Sequence, residues 1–318
     1  MAKYLIVGGH SYLGLALIDK LVKQGHQVVC VDTAMPELEV SRHFSMVINQ
    51  DYQFISCDFD NTKALKHQMS RASVCYFLPD LTEPHVNTLS VALEVFKLAG
   101  ENQVPVVYAS SSAVYGNNVD APLVENSIAN PTNFTGASLL AIEHYARVAM
   151  MKYQVQMTGL RMFDVYGHCN LPHTLIGRMQ ETFMQAHKNE RYFTVAINRH
   201  NLYDFVYIDD AINAFIKAAK LELGSAQLIN ICSGKETTAE HLVHMCNSIM
   251  RAHIEIIRDI NLPTTHALSI GSNHLAKRLL DFDCQVDLFS GLKQVFTNVE
   301  RPLAMQKITV GNISYLMG

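Results

Sequence analysis

Lys3-Tyr-Leu-Ile-Val-Gly-Gly-His-Ser-Tyr-Leu-Gly14 is the stretch that decides the fold. Tyr4–Val7 is a short apolar run of strand length, ended by glycines. The residues Tyr12–Gln24 then place Leu13, Leu17 and Leu21 on one helical face. Gly25 stands where a residue just past a helix C-terminus belongs. A strand that turns through glycines straight into a helix presents backbone N–H groups, and the positive end of the helix, to an anion such as a pyrophosphate.

The same alternation continues outward. Strands are expected at Gln27–Val31, Phe54–Ser56, Val74–Leu78, Val104–Ser110 and Gln156–Arg161. Helices are expected near Thr62–Ser70, at Glu83–Ala99 and at Gly136–Tyr153. The second of these carries Val86, Leu89, Leu93 and Phe96 at three- and four-residue spacing. Strands alternating with helices predict a parallel sheet covered on both faces. With right-handed crossovers this becomes a doubly wound, Rossmann-type α/β fold. The second half is less regular, with a helix near Ala239–Ala252, and reads as a smaller α/β lobe closing over the carboxyl ends of the strands. The expected division is a dinucleotide-binding domain over 1–167 and a mainly substrate-side lobe over 168–318, with about 201–220 returning to the first domain.

Composition bounds the function. Of 318 residues, 49% are apolar and 17% charged, which suits a globular chain with a sizeable core. The formal charge of −4 and the lack of a Lys/Arg run argue against a nucleic-acid surface. The N-terminus reads as a strand rather than a leader, and no apolar run reaches the roughly 18 residues of a membrane span. Seven cysteines with no C-x-x-C spacing suit reduced thiols and a cytoplasmic location. Cys30, Cys57, Cys75 and Cys232 lie in strand-like runs and read as core residues. The fifteen histidines form no ligand cluster, so no metal site is expected.

Five further blocks carry a resemblance. Pro131-Thr-Asn-Phe-Thr-Gly-Ala-Ser-Leu-Leu-Ala-Ile-Glu143 resembles the active-site helix P-x-x-x-Y-G-x-S-K-L-x-x-E of the extended short-chain dehydrogenase/reductases, the NAD-dependent nucleotide-sugar epimerases and dehydratases. Val107-Tyr-Ala-Ser-Ser-Ser-Ala-Val-Tyr-Gly116 resembles their S-S-x-x-V-Y-G turn. Leu160-Arg-Met-Phe-Asp-Val-Tyr-Gly167 resembles L-R-x-x-N-V-Y-G. Tyr203-Asp-Phe-Val-Tyr-Ile-Asp-Asp210 resembles R-D-F-x-x-V-D-D, and Asn230-Ile-Cys-Ser-Gly234 resembles N-I-G-S-G. The glycine turn itself is similar to G-x-x-G-x-x-G, with Ser11 at the middle glycine, where it can also cap the helix.

The resemblance implies a set of residue roles. Gly8, Ser11, Tyr12, Leu13 and Gly14 would line the pyrophosphate of NAD. Asp32, 18 residues after Gly14, would accept from the adenosine ribose and disfavour the 2′-phosphate of NADP. Asp58 and Phe59 would meet the adenine. Tyr76-Phe-Leu-Pro79 stands where the family reads roughly H-L-A-A, placing Leu78 at the nicotinamide end. The helices Glu83–Ala99 and Gly136–Tyr153 match a pair that builds a four-helix homodimer interface in relatives.

The chemistry departs from the pattern. Thr135 stands at the Tyr position and Leu139 at the Lys position, while Ser111 keeps the hydroxyl position of the turn. An aliphatic hydroxyl is far less acidic than a phenol, whose pKa is about 10, and Leu139 supplies no charge to activate it. Tyr145 is ten residues further along, roughly 15 Å away on a helix. Tyr115 and Tyr166 match structural tyrosines. On the substrate side Asp164 replaces an Asn and Tyr203 an Arg, both of which hold a sugar diphosphate. Arg178, Arg199 and Lys235 read as solvated charges. Three readings stay open. One is a non-catalytic relative that keeps the fold and NAD and works by binding, sensing or partnering. Another is an enzyme whose base has moved, using Ser111. The third is a conventional epimerase or dehydratase acting on a nucleotide sugar.

Overall fold

The computed structural model describes residues 2–34, 50–57, 63–81, 88–118, 121–167, 174–185, 192–196, 202–225, 227–250, 253–257 and 270–297. Seven parallel strands form the main sheet. They are β1 (Lys3–Val7), β2 (Gln27–Asp32), β3 (Tyr52–Ser56), β4 (Val74–Phe77), β5 (Val106–Ser111), β6 (Met157–Met162) and β11 (Leu228–Ile231). Their order is β3-β2-β1-β4-β5-β6-β11. The chain steps outward in one direction from β1 and then restarts at β4 on its other side. That reversal opens a crevice at the carboxyl ends of β1 and β4, where doubly wound sheets bind ligands.

Both faces of the sheet are covered, which is why its strands read as continuous apolar runs. On β1, Ile6 enters one core with Leu17 and Leu21 of α1 (Tyr12–Lys23) and Phe215 of a later helix. Its neighbours Leu5 and Val7 enter the other. The second core includes Phe96 of α3 (Thr88–Glu101) and Ile142 of α4 (Phe134–Tyr153). A short helix, α2 (Lys63–Met69), precedes β4. The beginning expected for α3 at Glu83 lies outside the described residues, as does the Thr62 end expected for α2. Cys30, Cys57, Cys75 and Cys232 are buried thiols.

After β6 come β7 (Asp164–Tyr166), α5 (Leu175–Gln185), β8 (Tyr192–Ala196), β9 (Leu202–Tyr203), β10 (Phe205–Tyr207) and α6 (Ile208–Ala218). Beyond β11 come β12 (Thr237–Thr238), α7 (Ala239–Met250), β13 (His253–Ile257), α8 (His274–Leu280) and α9 (Leu288–Thr297). Small sheets pair β7 with β10, β9 with β12 and β8 with β13. Helix α6 packs on α1 and β6 of the large sheet. No helix among the described residues is long and apolar enough to cross a membrane.

Candidate functional site

The glycine turn sits at the mouth of the crevice. Gly8 has φ +76°, a conformation that disfavours any side chain, and a Cβ there would strike the carbonyl of Leu78. A Cβ on Gly14 would strike the carbonyl of Gly9. The backbone therefore approaches what lies above it without side chains in the way. Ser11 is the helix N-cap, its Oγ accepting from the Gly14 N–H at 3.2 Å. At the middle-glycine position it thus completes the first turn. The side chains of Tyr12 and Leu13 are buried in the core. Their backbone N–H groups belong to the first turn of the helix. This cradle of small residues and a capped helix N-terminus fits a dinucleotide pyrophosphate.

Asp32 ends β2 beside this turn. Its Oδ2 accepts from the His10 N–H at 3.0 Å and its Oδ1 from the Thr33 N–H at 2.7 Å. Leu78 follows β4 on the other side, its N–H bonding the Val7 carbonyl at 2.9 Å. Asp58 and Phe59 lie outside the described residues, as does Arg199.

The expected catalytic positions gather at the junction of β5 and α4. Ser111 caps the single turn of 3-10 helix Ser112–Tyr115, its Oγ accepting from the Ala113 N–H at 3.2 Å. Asn133 caps α4 by accepting from the Gly136 N–H at 2.7 Å. Thr135 lies in that first turn and is partly buried. Leu139, one turn on, is 2% exposed and sits within the second core with Val114, Tyr115 and Phe163. Burying it contributes about 1.5–3 kcal/mol to folding and nothing to a proton transfer.

Tyr115, Tyr145 and Tyr166 lie on the neighbouring elements. Burial pushes Tyr115 up to about 12, opposed by the adjacent Arg161. Burial also raises Tyr166, with Tyr207 adding to the shift. Tyr145 faces outward on α4.

The motif residues that served only to fix register prove to be one buried network. Arg161 Nε and Nη2 donate to Glu143 Oε1 and Oε2 at 2.9 and 2.7 Å. The Ser110 hydroxyl donates to Glu143 Oε1 at 2.7 Å, and Arg161 Nη1 donates to the Tyr115 hydroxyl at 2.8 Å. Tyr115 in turn donates to Asn230 Oδ1 at 2.7 Å. Four sequence blocks are thereby locked together beneath the candidate site. Their chemistry was visible in the sequence, but their pairing required the fold.

Asp164 begins β7. Its Oδ2 accepts from the Asp204 N–H at 3.0 Å. Burial, with the nearby Asp204 charge adding, pushes its carboxyl up to about 7. Asp204 is fully buried and accepts from the Ser233 N–H at 2.7 Å, the Ser233 hydroxyl at 2.6 Å, the Gly234 N–H at 3.0 Å and the Gly271 N–H at 3.2 Å. Tyr203 stacks on Phe205 with ring centroids 5.5 Å apart. Lys235 is exposed, whereas Arg178 is partly buried on α5 rather than freely solvated. No cluster among the described residues is arranged to hold a metal ion.

Strand order and glycine cradle together define a Rossmann-type dinucleotide-binding scaffold. More narrowly, residues 4–232 match the NAD dependent epimerase/dehydratase family, and the chain belongs to it. It is 26% identical over 253 residues to the UDP-glucose 4-epimerase of Mycolicibacterium smegmatis, covering 75% of this chain and 79% of that relative. It is 24% identical over 314 residues to the uncharacterized protein MJ1055 of Methanocaldococcus jannaschii, covering 91% and 94%. The fold matches the UDP-glucuronic acid 4-epimerase from Bacillus cereus, solved with UDP-glucuronic acid and NAD, at a TM-score of 0.81 and 23% identity over 93% of this chain and 98% of that one. It also matches the UDP-N-acetylglucosamine 4-epimerase from Methanobrevibacter ruminantium M1, solved with UDP-N-acetylmuramic acid, at 0.82 and 19% over 93% and 97%.

Proposed function

We propose that this protein binds NAD(H) and does not perform Tyr–Lys epimerase chemistry, acting instead as a binding, sensing or partner protein. The observation that carries this reading is Leu139, packed in the core where the family register calls for a lysine. Thr135 supplies only an aliphatic hydroxyl, and Ser111 is engaged in capping its own turn. The cofactor when bound would supply hydride acceptance at its nicotinamide. Gly8, Gly14 and the N-terminus of α1 would hold its pyrophosphate, and Asp32 its adenosine ribose.

A second reading, an active enzyme with a relocated base, is favoured by Asp164, whose carboxyl titrates near neutrality beyond the end of β6. Product analysis after incubating the purified protein and NAD with UDP-glucose, UDP-glucuronic acid and UDP-N-acetylglucosamine separates the two. The first reading expects no product. Turnover within the ordinary enzymatic range of about 1–1000 per second contradicts it.

The same proposal includes a homodimer through α3 and α4. These helices pack on each other and carry exposed Leu93, Tyr145, Val148 and Met151. Such residues on helices that have already buried their sheet-facing sides suit a second copy.

A further inference from the structure

The third position of the glycine turn carries an imidazole whose contacts all point at the adenosine end of the crevice. The His10 ring lies on Phe54 of β3, ring centroids 4.8 Å apart. Its Nδ1 bonds the carbonyl of Ala34, just past β2, and its Nε2 lies 3.1 Å from the Tyr52 hydroxyl of β3. A carbonyl only accepts, so Nδ1 carries the proton and Nε2 accepts from Tyr52. Both ring nitrogens are thereby spent on holding the turn after β2 against β3.

That clasp bears directly on Asp32. Its Oδ2 takes the His10 backbone N–H at 3.0 Å, and the ring Nδ1 lies 4.0 Å from the same oxygen without donating to it. Its Oδ1 takes the Thr33 N–H at 2.7 Å and faces the Thr33 hydroxyl at 3.4 Å. Thr33 is itself held through its carbonyl, which accepts from the Ser56 hydroxyl at 3.2 Å. A carboxylate offers about four acceptor directions. Those three donors fix its orientation and leave room for one more.

We infer that His10 is a positioning residue for the adenosine ribose. It clamps the 32–34 turn so that Asp32 keeps one free acceptor direction for a ribose hydroxyl and an unneutralised charge against a 2′-phosphate. The inference rests on the NAD reading above and adds to it the residue that sets discrimination between the two dinucleotides.

The test is calorimetric titration of NAD and NADP into the purified full chain and into the variants His10→Ala and Tyr52→Phe. Thermal midpoints without ligand serve as the folding control. The unaltered chain should bind NAD about tenfold or more tightly than NADP. His10→Ala should lose about tenfold in NAD affinity with a smaller change for NADP, collapsing the ratio to within about threefold. Tyr52→Phe, which removes only the hydroxyl that Nε2 accepts from, should shift the ratio the same way by less, and it carries the test if His10→Ala does not fold. An unchanged NAD-to-NADP ratio in the folded variants, or an equal loss for both dinucleotides, overturns the role of His10 alone. Absence of NAD binding in the unaltered chain overturns this inference together with the cofactor reading.

Discussion

Asp164 shows at the scale of one residue how burial sets the chemistry of a carboxyl at this site. A carboxyl whose native pKa is raised to about 7, against 3.8 ordinarily, is held protonated by the fold over a window where the unfolded chain is already ionised. The stability this proton confers is fully present below about pH 4 and is lost as pH rises towards about 7. Asp164→Asn, which has no proton to lose, should therefore gain on the unaltered chain across that window and level off above it. The expected gain at pH 8 is about 1–3 kcal/mol once partial exposure is discounted. Urea unfolding at several pH values measures it, and a difference that does not vary with pH would remove the argument. The sequence made the substitution of Asp for Asn visible. It could not name Asp204 as the neighbour, because the two are 40 residues apart and meet only through the pairing of β7 with β10. His10 was less legible still, since nothing in its spacing announces contacts to Ala34, Tyr52 and Phe54.

Elements are joined here by polar groups as well as by apolar ones. The Arg161–Glu143 pair ties β6 to α4, Ser110 adds β5, and Tyr115 carries the link through Asn230 to β11. A buried ion pair that loses one member leaves an uncompensated charge, at a cost of about 3–5 kcal/mol. Arg161→Met should reduce unfolding free energy by about that amount. Adding Glu143→Leu should restore part of it by removing the stranded carboxylate. Chemical denaturation of the single and double variants decides, and a single variant within about 1 kcal/mol of the parent would show the network to be dispensable. The alternation of strand and helix was readable because apolar runs and glycine breaks follow from local geometry. Strand ends shifted by one or two residues, as at β4, where the strand ends at Phe77 rather than Leu78. Helix α4 begins at Phe134, two residues before Gly136, because the cap is Asn133.

At the scale of the whole molecule two surfaces carry the account, the outer face of α3 and α4 and the crevice above β1 and β4. If the helix face pairs two copies, Val148→Asp should convert a dimer to a monomer in sedimentation velocity while leaving the far-ultraviolet circular dichroism unchanged. A parent chain that sediments as a monomer would dismiss the pairing. Core-facing and partner-facing leucines look alike in a sequence, and only their exposure on the folded helices separates Tyr145, Val148 and Met151 from Leu139 and Ile142. The crevice carries the central claim, a kept cofactor cradle beside an absent acid–base pair. Its most direct test is a titration of NAD into the nucleotide-stripped protein, followed by UDP-glucose while near-ultraviolet absorbance is recorded. The account predicts saturable NAD binding with neither reduced nicotinamide nor epimerised sugar. Failure to bind NAD, or conversion of the sugar, would contradict it.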